Sequence, residues 1–124
     1  MSANMRFGRV QLRIMQVLWE KERANAREIT LALNKIEPIA HSTVQTLLRK
    51  LEQKKAVDHD VEERTFIFYP IVRSDQVTHH AFRDFVDRIF AGSTGGLVSY
   101  LIKNEYISPD ELGEVRALLD KKAR

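Results

Sequence analysis

The chain has 124 residues, no cysteine, 44% hydrophobic and 30% charged residues, and a formal net charge of +3. Such values fit a globular chain of one domain, or a small domain with an appendage, and exclude disulfides and thiolate metal sites. No apolar run is long enough to span a membrane, and "MSANMRFGRVQLRIMQ" lacks the apolar core of a secretory signal, so a cytoplasmic setting without a membrane partner is the expectation.

The positive excess is local. Residues 1–70 hold 12 Lys/Arg against 9 Asp/Glu, while residues 71–124 hold 8 of each. "VQLRIMQVLWEKE" places Val10, Ile14, Val17 and Leu18 on one helical stripe, widened by Leu12, Met15 and Trp19, which predicts a helix over about Arg9–Glu22. Asn25, with Glu28 three residues on, forms a capping box for a second helix with Ile29, Ala32, Leu33 and Ile36 inward; Pro38 stops it. In "AHSTVQTLLRKLEQKK" the stripe Val44, Leu47, Leu48 and Leu51 predicts a third helix, with Ser42 as its N-cap and Gln45 at the box position. Thr43, Gln45, Thr46, Arg49, Lys50 and Gln53 then face outward.

The period then changes to two. Val57, His59 and Val61 alternate with Asp58 and Asp60, and "TFIFY" is β-branched and aromatic, so two strands join through a turn near Glu62–Glu63–Arg64 and end at Pro70. From Ser74, read as a cap, the helical period returns through Val77, Ala81, Phe82, Phe85, Val86, Ile89 and Phe90 to Gly92. A shorter helix carries Leu97, Val98, Leu101 and Ile102. Ser108-Pro109-Asp110-Glu111 starts a last helix bearing Leu112, Val115, Leu118 and Leu119.

Three helices followed by a strand pair is the order of a winged helix-turn-helix. The predicted fold is mainly α with a small two- to three-stranded β-wing: a winged-helix DNA-binding domain over residues 1–72 and a C-terminal helical dimerisation domain over residues 73–124. Fifty amphipathic residues need a partner, and a second copy is the natural one. Phe82, Phe85, Ile89, Leu97, Leu101, Leu112, Val115 and Leu119 are the expected dimer interface.

In a helix-turn-helix the second helix enters the major groove. Ser42, Thr43, Gln45, Thr46 and Arg49 supply short polar groups and base-reading donors: Gln for adenine, Arg for guanine, the Thr methyl for thymine. Lys50, Lys54 and Lys55 suit phosphates, and Arg64 at the wing tip is a further DNA contact, opposed by the glutamates beside it. The alternative is a solvated face, or a winged-helix module for protein–protein contact without sequence-specific DNA binding. No catalytic grouping, cofactor motif or metal site is expected: His79 and His80 point about 100° apart on a helix, and Gly92, Gly95 and Gly96 lack the strand–turn–helix setting of a phosphate loop.

Four segments, "IMQVLWEKERANAREI", "STVQTLLRKLEQKKAVDHD", "TFIFYPIV" and "LVSYLIKNEYISPDELGEVRALLD", give the chain a resemblance over about residues 8–121 to the BlaI/MecI group of bacterial penicillinase and methicillin-resistance repressors. The resemblance implies a homodimer on a palindromic double-stranded DNA operator with TACA/TGTA half-site cores. Thr43 and Thr46 match threonines of the group's recognition helix. Gln45 falls where the penicillinase repressors carry an arginine, and Arg49 where they carry a threonine. The β-lactam-responsive members are inactivated by a signalling protease at an Asn–Phe bond; the corresponding pair here is Ser99–Tyr100. Copper-responsive relatives use a cysteine-rich C-terminal motif, which this chain lacks.

Overall fold

The computed structural model describes residues 5–123. The elements run α1 (Arg9–Lys21), β1 (Ala24–Asn25), α2 (Ala26–Asn34), α3 (His41–Gln53), β2 (Val57–Glu62), β3 (Thr65–Pro70), α4 (Ser74–Ile89), α5 (Thr94–Lys103) and α6 (Pro109–Ala123). Two compact units divide inside α4, the first ending at Ala81 and the second beginning at Phe82. Among the described residues no helix is long and apolar enough to cross a membrane.

In the first unit, α1, α2 and α3 close over Ile14, Met15, Leu18, Ile29, Leu33, Val44, Leu48 and Leu51, all buried. Val57, Phe68, Val72 and Val77 extend the same core, so the strands and the start of α4 are packed into it. Trp19 is half-buried against this core rather than inside it. Its Nε1–H donates to the Val72 carbonyl at 3.0 Å, tying α1 to the segment that leaves the sheet.

The helix boundaries follow local capping chemistry. Asn25 Oδ1 accepts from the Glu28 N–H at 2.8 Å, and Glu28 Oε1 accepts from the Asn25 N–H at 2.9 Å, completing the predicted box. The stop of α2 is made by Asn34 rather than by Pro38 alone. Its Nδ2 donates to the carbonyls of Thr30 at 2.8 Å and Ile39 at 3.0 Å, and its Oδ1 accepts from the Ile39 N–H. The helix ends too early to carry Ile36 inward, so that residue, expected on the inner face, is 62% exposed. Ser42 is likewise not the N-cap of α3. Ala40 holds that position without a side-chain cap, and its carbonyl accepts from the N–H groups of Thr43 and Val44. The apolar stripe sustains the helix one residue beyond the capping signal. Ser74 is the first residue of α4 rather than its cap; the Val77 N–H bonds to the Arg73 carbonyl.

The sheet has three antiparallel strands in the order β1-β3-β2. Val57 faces Pro70 and Glu62 faces Thr65, leaving a two-residue turn of Glu63 and Arg64. Both turn residues have positive φ, 49° and 66°. A right-twisted hairpin favours this geometry, but it suits Asn-Gly and strains side chains with a Cβ. Glu63→Asn is expected to stabilise the protein by about 1 kcal/mol, raising the thermal midpoint by a few degrees. An unchanged or lower midpoint would contradict the turn assignment.

The second unit holds the end of α4 with α5 and α6. Ala91 (φ 50°) and Gly92 (φ 82°) turn the chain out of α4, a conformation glycine adopts freely. Ser93 Oγ accepts from the Gly96 N–H at 2.9 Å to cap α5. At α6, Ser108 and Glu111 exchange reciprocal bonds of 3.1 Å, the predicted box. Rings step along this unit from Phe85 to Phe90, Tyr100 and Tyr106, with centroids 5.8–5.9 Å apart. Neither α5 nor α6 has a buried residue. Phe82, Phe85, Ile89, Val115 and Leu119 are exposed, while Leu97, Leu101 and Leu112 are half-buried.

Candidate nucleic-acid interface

The turn between α2 and α3 sets the presentation of α3. His41 Nδ1 lies 3.2 Å from Thr30 Oγ1, so the first turn of α3 is held against α2. With Val44, Leu48 and Leu51 buried, the opposite side of α3 is presented to solvent: Ser42, Thr43, Gln45, Thr46, Arg49 and Lys50 are all exposed. The Thr46 hydroxyl donates back to the Ser42 carbonyl at 3.0 Å. That bond fixes the side chain.

Between α3 and the wing runs an open groove of about 620 Å³. Gln45 and Arg49 form one wall, Arg64, Thr65 and Phe66 the other, and Arg27 and His41 close its α2 side. Three arginines, one each from α2, α3 and the wing turn, thus line one groove with Gln45. The structure gathers Gln45, Arg49 and Arg64 from the sequence-predicted set; Ser42, Thr43, Thr46 and Lys50 lie on the exposed face of the same helix. Arg27 was not predicted from sequence. A basic residue in the first turn of α2, just after the Asn25 cap, is the signal that could have found it.

Lys54 is placed differently. Its ammonium donates to the Arg6 carbonyl and, at 3.3 Å, to Gln11 Oε1, and it lies 5.1 Å from the centre of the Phe7 ring. Burial pushes its pKa below the ordinary lysine value. This lysine therefore fastens the segment before α1 rather than lining the groove.

The acids of β2 are partly neutralised. Arg23 bonds to Asp60 at 2.8 Å, sits 3.5 Å from Glu62 and lies over the Tyr69 ring at 5.4 Å. The hydrogen bond to Asp60 raises the Arg23 pKa further, so it is charged at any pH of interest. Behind α1, Glu37 bonds to Arg9 and Arg13, each at 3.0 Å, and the Arg9 bond holds its carboxyl below the ordinary glutamate range.

Glu52, Asp58 and His59 are the described residues whose donor atoms come close enough together to hold a metal ion. The sequence reading missed this group because it joins α3 to β2. Its donors already engage one another: His59 Nδ1 pairs with Glu52 Oε1, and Asp58 Oδ1 accepts from the His59 N–H at 2.8 Å.

Comparison with known proteins agrees with the geometry. The family model described as "Penicillinase repressor" matches residues 7–121. The methicillin resistance regulatory protein MecI of Staphylococcus aureus (strain N315) is 26% identical over 109 residues, covering 88% of this chain and 89% of the relative. The solution structure of the DNA-binding domain of the repressor BlaI superposes with a TM-score of 0.54 at 28% identity, covering 60% of this chain and 90% of that one. Monomeric Bacillus licheniformis BlaI in complex with the blaP half-operator gives a TM-score of 0.50 at 28% identity, covering 56% and 85%. The winged helix-turn-helix read from the element order is the observed fold, and the chain belongs to the penicillinase repressor family.

Proposed function

We propose that the protein is a homodimeric transcriptional repressor that occupies a palindromic promoter operator with TACA/TGTA-like half-sites. The observation that carries this reading is the groove, where Gln45 and Arg49 of α3 stand opposite Arg64 of the wing. In this reading α3 lies in the major groove. Arg49 forms a bidentate contact to guanine, Gln45 reads adenine, and the methyls of Thr43 and Thr46 touch thymine methyls. Ser42, Lys50, Arg27 and Arg64 meet the backbone, where contacts position the protein without reading sequence. That the B. licheniformis relative is seen in complex with a half-operator supports the operator reading at the level of the fold.

Dimerisation is inferred from the second unit, where Phe82, Phe85, Ile89, Val115, Leu118 and Leu119 remain exposed on the single chain. Linking two weak reading heads makes the second contact intramolecular. Release by a signalling protease at Ser99–Tyr100 would require opening a helix, since both residues lie within α5 and Tyr100 packs between Phe90 and Tyr106.

The test separates base contact from phosphate contact. Arg49→Ala is expected to weaken operator binding about 10- to 100-fold and to relax preference at one base pair. Lys50→Ala should weaken all duplexes alike and flatten the salt slope by about 1. Binding of Arg49→Ala that matches the parent in strength and preference would remove α3 from the reading role. A protein–protein module would instead give little salt dependence throughout.

A further inference from the structure

The groove is only as well defined as the wing's position against α3. Val57 and Phe68 join the core at the base of the wing, but Val61, Glu62 and Thr65 near the tip are exposed. Between base and tip stands His59 of β2. Its Nδ1 pairs with Glu52 Oε1 in the last turn of α3. Its ring stacks on Phe66 of β3, with centroids 3.9 Å apart and planes 12° from parallel, and leans against Phe68 at 5.7 Å. Phe66 and Phe68 in turn line the groove beside Gln45 and Arg49. Among the described residues, Glu52–His59 is the one side-chain hydrogen bond that joins α3 to either strand of the wing.

We infer that His59 is a positioning residue for DNA recognition: held by Glu52 and stacked on Phe66, it fixes the span between Arg49 on α3 and Arg64 at the wing tip. The inference rests on the operator reading above. His59 is not among the residues that line the groove. It acts by removing the freedom of the outer wing, which beyond the β1 pairing at Ile67 and Phe68 is a two-stranded ribbon, marginally stable alone. A complementary array held rigid before binding loses less entropy on binding than one that must be ordered by the ligand.

The test uses the full chain and anisotropy titrations with a labelled palindromic operator and a labelled random duplex over several salt concentrations. Glu52→Ala and His59→Ala are each expected to weaken operator binding about ten-fold, and the double variant no further, because both remove the same link. The salt slope and the affinity for the random duplex should not change, since no phosphate contact is lost. Glu52→Gln and His59→Gln should recover most of the loss, because an amide can still accept or donate that bond. Additive losses, a reduced salt slope, or operator binding of His59→Ala equal to the parent's would overturn the positioning role. Glu52 lies on the helix surface, so its variants answer the question even where His59→Ala fails to fold. Amide exchange supplies a readout independent of DNA: Glu52→Ala should speed exchange in β2 and β3 about ten-fold and leave α1 unchanged. Failure of the parent to prefer the palindrome would sink the operator reading, whereas unchanged exchange in the wing would sink the clamp.

Discussion

Leu119→Asp is expected to convert the protein to a monomer that binds a two-site operator about 10²- to 10⁴-fold more weakly. Leu119 is 63% exposed and Ile89 is 63% exposed, and both belong to helices whose apolar residues alternate with charge at helical spacing. A single exposed leucine means little, but α5 and α6 have no fully buried residue, and several exposed apolar residues on them form the face proposed above to meet a second copy. An aspartate placed in that seam is desolvated without a counter-ion, which few kcal/mol of interface energy can offset. The same aspartate in the separated chain meets water, so helix content should remain. Sedimentation equilibrium checks the mass, and titrations against duplexes with one and two half-sites check the linkage. The parent should gain greatly from the second half-site and the variant should not. A variant that still sediments as a dimer, or a parent indifferent to the second half-site, would place the interface elsewhere or abolish it.

Trp19→Ala is expected to destabilise the first unit by about 2–3 kcal/mol, below the range for a fully buried tryptophan because the ring is half-buried, against total stabilities of about 5–15 kcal/mol for such domains. Two losses combine. The ring covers the α1 side of the core, and its N–H satisfies the Val72 carbonyl at 3.0 Å. That carbonyl lies where the chain leaves β3 for α4, so the bond also secures Val72 and Val77 in the core. Trp19→Phe keeps most of the packing and removes the donor, so it should cost about 1–2 kcal/mol. Trp19 is the only tryptophan in the chain, so urea unfolding has to be followed by circular dichroism. A loss under about 1 kcal/mol for Trp19→Ala would show that the ring is a surface residue in energetic terms.

What could be read from the sequence was local. The boxes at Asn25–Glu28 and Ser108–Glu111 span three residues each, and both appear as read because a cap depends on neighbours along the chain. The buried stripe Val44, Leu48 and Leu51 was legible because a helix projects period 3.6 directly onto one face. The start of α3 was not legible: Ser42 looks like a cap, but the helix begins at His41, where His41 itself is held by Thr30.

The misses are long-range. Strand β1 is two residues long, and its existence depends on Phe68 and Ile67 more than forty positions away. Lys54 carries no mark in sequence that distinguishes it from Lys50 or Lys55, yet Phe7 and the Arg6 carbonyl draw it away from the groove. The Glu52–His59 link joins residues seven apart across a helix end and a turn, a geometry that neither helical nor strand periodicity describes. That Arg27, Arg49 and Arg64 line one groove is likewise a property of the fold. Their charges were countable, but their meeting in one groove was not.

Operator recognition by α3 is tested most directly by an anisotropy titration of the full chain against its own upstream promoter sequence. Duplexes with an intact and a scrambled TACA…TGTA palindrome would be compared at about 50 and 200 mM salt. Binding to the intact duplex is expected to be tight and to weaken steeply with salt, and binding to the scrambled one to be at least about 10³-fold weaker. Equal, weak and salt-insensitive binding to both duplexes would contradict it, and the exposed side of α3 would then be a solvated helix face.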